Sequence, residues 1–364
     1  MSPERPLSIA HVDAEPAFSG GEVQVFLLIE GLGRRGHRNV LIAPPGSASE
    51  REGRARGLEV HAVPMRSDLD LPAVVRLRRA LAGARVDLVH LHTGRATWLG
   101  AWAARWARRP AVSTRRQDRP VARSARTRLL YGRLLARTVA ISPAVAECLR
   151  LGGVRAPQVI ASSVDPAALR PRRARADVRA ELGLAPEDFV VLTLCALVPR
   201  KGVDVLVDAL AALPPSPTPS VLLVAGDGPE RAALEARAAS LGRRVRFLGA
   251  RTDKAELLAA CDAFVLASRA EGLGVAALEA MAAGRAVVAS RVGGLAEAVV
   301  EGRTGLLVPP GEPAPLAAAL ARLRDDPALR AQLAGNGPAR VREGFEVEQM
   351  VSAYERLYRE VLSA

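Results

Sequence analysis

The chain has 364 residues, a formal net charge of +13, 49% hydrophobic residues and only 3% aromatics, so it is long enough for two domains whose cores are filled by aliphatics and alanine. Its cysteines, Cys148, Cys195 and Cys261, are few and far apart, which excludes a disulfide framework and any Cys/His metal spacing. No apolar run approaches the ~18 residues of a membrane span, and no long apolar stretch follows Met1–Pro6, so a cytoplasmic protein without a signal peptide is expected.

In chain order, a short strand is predicted at Leu7–Val12, a loop at Phe18–Gly21, and a helix at Glu22–Arg34, where Val25, Leu28, Ile29 and Leu32 share one face. Gly36-His37 ends that helix, and strands follow at Asn39–Ala43 and Val60–Val63. A helix is expected over Leu71–Ala82, a strand over Asp87–Leu91 ending at His92, a helix over Ala96–Ala107, and strands at Ala111–Thr114 and Thr138–Ile141. Residues 161–188, with Ser162-Ser163, Pro166, Pro171 and many arginines, read as a connection. The rhythm then restarts with strands at Phe189–Ala196, Ser220–Ala225, Val245–Leu248, Ala263–Ala267, Ala286–Ser290 and Gly305–Val308. The proline-rich stretch Pro214–Pro219 reads as an exposed loop, and Glu346–Leu362 as an amphipathic helix. Strands alternating with helices argue for two parallel α/β sheets, each covered on both faces, with a ligand cleft between the halves.

Charge is divided unevenly. Residues 1–160 hold 26 arginines and 13 acids, whereas the remainder holds 25 of each sign. The excess is densest at 105–137, where 11 arginines accompany one acid, Asp118. An acidic phospholipid, a phosphorylated acceptor or a nucleic acid would suit such a segment, and so would a plain solvated arginine face.

Five places carry candidate chemistry. Gly20-Gly21 lies at the first strand-to-helix turn, where glycine lets a phosphate approach the helix start, although Gly-x-Gly-x-x-Gly is not met. His92 follows His90 by two residues at the end of a strand, where parallel sheets bind ligands, and His90 reads as a packing residue. Arg115 and Arg116 end the next strand and could clamp a phosphate or carboxylate of an acceptor, or be surface arginines. Arg200-Lys201-Gly202 follows the first strand of the second half, where a cation could neutralise a leaving diphosphate. The fifth place is the most informative. Glu271 and Glu279 stand eight positions apart around Gly272-Leu273-Gly274, with a helix start near Val275. Carboxylates there can accept from sugar hydroxyls, while the amides of the helix start favour phosphate. The side chain of Glu279, one turn into the helix, leans back toward the same spot.

This segment, with Gly293-Gly294 after it, resembles the signature of the retaining family 4 glycosyltransferases, which have the GT-B fold. Val224-Ala225-Gly226-Asp227-Gly228-Pro229, Phe247–Asp253, Glu297 and Gly302–Val308 extend the likeness, and Ser19–Gln24, Gly36-His37 and Asp87–His92 match in order in the first half. The resemblance implies two Rossmann-like domains facing across a cleft: an acceptor-binding domain at 1–163, a nucleotide-sugar domain at 164–344, and a helix at 345–364 crossing back to the first. It implies that Glu271 and His92 attend the donor sugar, that Glu279 holds the ribose, and that Gly21, Arg200, Lys201, Gly226, Arg251, Gly272, Leu273 and Gly274 bind the rest of a UDP-, GDP- or ADP-linked donor. It gives Arg115 and Arg116 no secure role. Members usually carry an arginine where this chain has Ala196, so one of two expected phosphate cations is missing and Arg200 becomes the candidate substitute.

The implied reaction is retaining transfer of a sugar to a hydroxyl acceptor, with no cofactor and no metal, since no Asp-x-Asp pair is suitably placed. With both acids committed to the donor, same-face attack by the acceptor hydroxyl is expected, the leaving phosphate oxygen serving as base. The basic first half suggests a lipid-linked or cell-envelope acceptor such as lipopolysaccharide at the inner membrane surface. Two rivals are a sugar-nucleotide epimerase of the same architecture and an arginine-rich nucleic-acid binder. The second would want stacking aromatics, and only Trp102, Trp106 and Tyr131 stand near the arginines.

Overall fold

The computed structural model describes residues 5–17 and 19–364. The chain divides into two compact units, one running through Ser163 and resuming at Val347–Ala364, the other Val164–Glu346.

The first unit contains β1 (Ser8–Val12), α1 (Gly20–Arg34), β2 (Arg38–Ala43), α2 (Ala48–Ala55), β3 (Glu59–Ala62), α3 (Leu71–Ala84), β4 (Leu88–Leu91), α4 (Gly94–Trp106), β5 (Ala111–Arg115), α5 (Ala125–Leu129), β6 (Arg137–Ala140), α6 (Pro143–Leu151) and β7 (Gln158–Val159). All seven strands are parallel, in the order β3-β2-β1-β4-β5-β6-β7. The chain therefore leaves β1 in one direction and returns for β4 on its other side. That reversal opens a crevice at the carboxyl ends of β1 and β4.

The second unit contains α7 (Arg175–Glu181), β8 (Phe189–Leu194), α8 (Val203–Ala211), β9 (Ser220–Ala225), α9 (Arg231–Ala238), β10 (Val245–Gly249), α10 (Lys254–Ala260), β11 (Ala263–Leu266), α11 (Val275–Ala282), β12 (Ala286–Ser290), α12 (Leu295–Ala298), β13 (Gly305–Val308), α13 (Pro313–Asp325) and α14 (Pro327–Gly344). Its six parallel strands run β10-β9-β8-β11-β12-β13, with the reversal between β8 and β11. The strands read as almost unbroken Val/Leu/Ala runs because both faces are covered.

The last helix, α15 (Val347–Ser363), returns to the first sheet, where Met350, Val351, Tyr354, Leu357 and Tyr358 join Leu7, Ile9, Leu28, Leu32, Leu88 and Val139 in one core. Gly31 of α1 makes room for it, because a Cβ there would meet the Val351 side chain. A buried polar network fastens the same helix. Tyr358 OH lies 2.6 Å from His90 Nδ1, His90 Nε2 lies 2.7 Å from Thr114 Oγ1, and Thr114 Oγ1 lies 2.7 Å from Tyr354 OH.

Several sequence expectations are corrected. The helix expected from Glu22 begins at Gly20, because Ser19 caps it and Glu22 closes a capping box back onto Ser19. Gly20 and Gly21 are thus helical, and Phe18, the start of the expected loop, lies outside the described residues, as do Met1–Glu4 of the expected leaderless start. The stretch read as a connection holds α7, and α2 and α6 were unassigned. The strand expected to reach Ala196 stops at Leu194, where the backbone turns toward Lys201.

Outside the networked core, Glu355 of α15 is bound by Arg35 (2.8 Å) and Arg359 (3.0 Å), and His37 Nε2 lies 3.1 Å away. Burial pushes its carboxyl up, but the hydrogen bonds from Arg35, Arg359 and His37 outweigh it and hold it down at about 2. A depressed folded value means that the stabilisation is complete above the ordinary Glu range, near 4.5, and is lost as pH falls toward 2. Glu355→Gln is therefore expected to be less stable than the parent at pH 7, with the two melting temperatures converging on acidification to pH 3. A gap that stays constant with pH would remove this charge from the docking of α15.

Candidate active site

In the second unit, the site forms where β8 and β11 diverge. After β8 the backbone passes Cys195 and Ala196 into a short 3-10 turn, Pro199–Lys201, and Gly202, at φ +62°, starts α8. After β11 it passes Ser268 into the Glu271–Gly274 bend that opens α11. The two loops are fastened together. Arg269 N donates to Arg200 O (2.8 Å), and the Arg269 guanidinium grips Pro199 O (2.8 Å) and both carboxylate oxygens of Asp204 (2.8 and 2.6 Å).

Lys201 Nζ is hydrogen-bonded to Glu271 Oε2, which also accepts from Ser268 Oγ at 3.1 Å. Both charged side chains are largely buried, 13% and 12% exposed, so their attraction is little screened by solvent. Arg200, by contrast, is exposed, as is Ala196. Glu279, on the first turns of α11, binds Lys254 Nζ at 2.5 Å. Thus each of the two acids is matched by one of the chain's two lysines, Lys201 and Lys254.

The glycines shape this bend. Gly274 stands at φ +82° as the N-cap of α11, and no side chain caps that helix. The amides of Val275 and Ala276 are left to a ligand or water, while Ala277 N donates to Gly274 O at 2.9 Å. Gly294 N donates to Glu271 O (3.0 Å), and a Cβ at Gly294 would strike Gly272 O, so Gly293-Gly294 lets the following loop press against the bend. Leu273 is buried, which leaves only its backbone for binding. Gly226, at φ +144°, lies directly on the Cys195 carbonyl and donates to Gly249 O at 2.7 Å. Arg251 is engaged by Asp253 through two bonds of 2.8 and 2.5 Å.

In the first unit, the reversal between β1 and β4 gathers His11, His90 and His92. The His90 and His92 ring centroids are 3.9 Å apart, and His11 stacks on His92 at 5.3 Å. All three rings are buried, and burial lowers each imidazole, that of His11 to about 4, so all are neutral at pH 7. Among the described residues this is the one cluster close enough to share a metal ion, yet five of its six ring nitrogens hydrogen-bond within the protein. Arg116 Nη1 donates to His92 O at 3.2 Å and its Cδ approaches Gly21, whereas Arg115 turns to Arg119 O (2.7 Å). Asp13, just past β1, is also buried there. Burial raises its carboxyl to about 6 against the lowering effect of Ser49 Oγ, 2.5 Å away.

Sequence reasoning passed over Ser268, Arg269, Lys254, Asp13, His11 and Asn39. Ser268 and Arg269 adjoin Glu271 and could have been read as its supports. Lys254 and Asn39 carry no local signal, because their partners are 25 and 28 residues away.

Two parallel doubly wound units, with an acid-and-lysine site at the switch point of the second, define a two-domain Rossmann-like scaffold. Residues 18–168 match the model of Glycosyltransferase Family 4, and residues 188–326 that of Glycosyl transferases group 1. The chain belongs to the family 4, group 1 glycosyltransferases of GT-B fold. It is 37% identical over 223 residues to the lipopolysaccharide core biosynthesis glycosyltransferase LpsD of Rhizobium meliloti, covering 60% of this chain and 62% of that protein. It is 37% identical over 216 residues to the D-inositol 3-phosphate glycosyltransferase of Jonesia denitrificans, covering 54% and 51%. The matches thus span less than two thirds of these curated relatives. The structure of Anabaena Alr3699/HepE in complex with UDP and glucose superposes with a TM-score of 0.86 at 27% identity, over 97% of this chain and 100% of that one.

Proposed function

We propose that this protein moves a sugar from a nucleotide-linked donor to a hydroxyl of a cell-envelope glycan or lipid-linked acceptor, with retention of configuration and without a metal. The observation that carries this reading is the buried Lys201–Glu271 pair at the β8/β11 switch point, facing the uncapped start of α11. Glu271 accepts from hydroxyls of the donor sugar, and Glu279 accepts from the ribose diol. Lys201 and the first amides of α11 stabilise the charge that grows on the departing diphosphate, with Arg200 as an exposed auxiliary cation in the absence of an arginine at 196. The acceptor hydroxyl attacks from the face the diphosphate leaves, and a phosphate oxygen takes its proton. The complexes of HepE with UDP and UDP-glucose support a nucleotide-sugar donor, and LpsD supports an envelope acceptor.

The acceptor side falls to the first unit, with Arg115 and Arg116 at the end of β5. Nine of the eleven arginines between 105 and 137 are exposed, all but Arg115 and Arg116, and Trp106 and Leu151 are exposed among them. Leu69 and Leu71 also protrude, beside Asp68, which Arg126 binds at 2.7 Å. A basic face studded with apolar side chains suits the anionic inner surface of a plasma membrane, and no helix among the described residues is long and apolar enough to cross one.

A thermal-shift screen of UDP-, GDP- and ADP-sugars is expected to return one stabilising base. Glu271→Ala and Lys201→Ala should each weaken that hit, and unchanged binding in both would refute the site. Vesicles containing anionic lipid should retain the protein better than neutral ones; equal retention would dismiss the membrane surface.

A further inference from the structure

Lys201 ends a turn of only three residues, Pro199–Lys201, and its side chain is long and flexible. The place of its ammonium therefore depends on how firmly that turn is held. Within the turn, Lys201 N donates to Val198 O (2.9 Å) and Gly202 N to Pro199 O (3.3 Å). The bracing comes from the loop after β11. Gly202 lies against Ala267, whose carbonyl oxygen a Cβ at 202 would strike. Two residues on, Arg269 takes hold three times. Its amide donates to Arg200 O (2.8 Å), and its guanidinium donates to Pro199 O (2.8 Å) and forks onto both carboxylate oxygens of Asp204 in the first turn of α8 (2.8 and 2.6 Å). The hydrogen bonds from Arg269 hold the Asp204 carboxyl below its usual range, so the fork is an ion pair at neutral pH.

The guanidinium works from behind the turn. With Pro199, Asp204, Glu230, Leu234 and Arg237 it lines a cavity of about 240 Å³ that neither Lys201 nor Glu271 borders. Arg237 does not stand in for it, being held by both oxygens of Asp208 (2.6 and 2.5 Å). Two residues beyond Arg269, Glu271 receives the Lys201 ammonium. One short stretch thus fixes the lysine at its base through Arg269 and at its tip through Glu271. In the glycosyl-transfer reading both members of the Lys201–Glu271 pair are claimed by the donor, which leaves the base as the fixed end.

We propose that Arg269 is a positioning residue: from behind the turn, together with Asp204, it holds Lys201 where the ammonium meets the diphosphate leaving the sugar. This rests on the glycosyl-transfer reading above. Arg269 touches no substrate; it acts through the lysine.

The chain has two lysines, Lys201 and Lys254, so protein labelled with carbon-13 lysine gives two ε-methylene signals, which Lys254→Arg assigns. In the free parent, Lys201 should relax as a fixed side chain. In Arg269→Ala it should relax as a mobile one, while Lys254, on its own acid, keeps its signal and vouches for the fold. Calorimetry with UDP, GDP and ADP, and with UDP-glucose, GDP-mannose and ADP-glucose, reads the consequence, because a free nucleoside diphosphate carries the charge that the leaving group acquires. Arg269→Ala should weaken the diphosphate that binds by about 3- to 10-fold, and the matching nucleotide-sugar less. On a Lys201→Ala background the same substitution should cost nothing further, since the two residues act as one unit. Arg269→Lys keeps a charge facing Asp204 without the fork, so it should fall between parent and Arg269→Ala, and it carries the test should the alanine variant not fold. A Lys201 equally fixed in parent and variant, an equal loss for both ligands, or a loss that adds to that of Lys201→Ala would each overturn the proposal. Should Lys201 come loose as stated while none of the six ligands binds the parent, the glycosyl-transfer reading is what fails, and the hold of Arg269 on Lys201 stands.

Discussion

Lys201→Ala is expected to slow sugar transfer by about 100- to 1,000-fold, the usual loss when one preorganised group facing transition-state charge is removed. Two features make the effect large. The ammonium is 13% exposed, so little solvent is at hand to replace it. Position 196 is an alanine and Arg200 is exposed, so no second buried cation of that segment shares the load. The variant also strands Glu271, leaving its carboxylate with Ser268 Oγ after the lysine is gone. The rate should therefore fall more than donor affinity, because charge on the diphosphate is greatest as the bond to the sugar breaks. Release of nucleoside diphosphate in the presence of acceptor measures this. A turnover within three-fold of the parent would show that Lys201 neutralises nothing in the transition state.

Gly226→Ala is expected to destabilise the second unit by about 3 kcal/mol or more. The residue sits at φ +144°, a conformation closed to a side chain, and its Cβ would fall onto the Cys195 carbonyl. Relief by movement is blocked on the other side, where Gly226 N is tied to Gly249 O at 2.7 Å. The strain would be felt at the ends of β8, β9 and β10 together, directly before the turn that carries Lys201. Chemical denaturation of the second unit's transition provides the measurement. As a control in the same unit, Gly335→Ala on α14 meets no atom within 4 Å and should be nearly neutral or slightly stabilising. Equal stability of the two variants would mean that the backbone at 226 is not held as described.

The strands were the most legible part of the fold. Ser220–Ala225, Ala286–Ser290 and Gly305–Val308 were read to the residue, because a strand buried on both faces is a continuous apolar run bounded by glycine, proline or charge. Helices α2 and α7 were not, since Ala48–Ala55 and Arg175–Glu181 are short and rich in arginine and glutamate, with little apolar period to see. Helix α6 had a better signal in Ser142-Pro143, a cap followed by proline at the first position, and it was passed over. At the site, the local half was visible: Glu271, the glycine bend and Glu279 lie within one segment. Its counter-charges were harder. Lys201 could be proposed from its place after a strand, but Lys254 and Glu279 lie on two helices that follow strands β10 and β11, which are not neighbours in the sheet, so no sequence pattern announces their pairing. His11 sits in a strand that reads as apolar, and only the register with β4 sets it beside His90.

Helix α15 carries a consequence for synthesis of the protein. The core it completes draws on Leu7, Ile9 and Leu28 and on Tyr358, which is translated only after the whole of the second unit. The intervening unit has its two ends side by side, with Val164 N bonded to Phe345 O at 2.7 Å and Val164 bridged to Glu346. It can close as soon as those residues have left the ribosome, whereas the first unit must wait, one greasy flank bare, until Val347–Ser363 has also been made. A chain cut short at Glu346 would therefore injure the first unit more than the second.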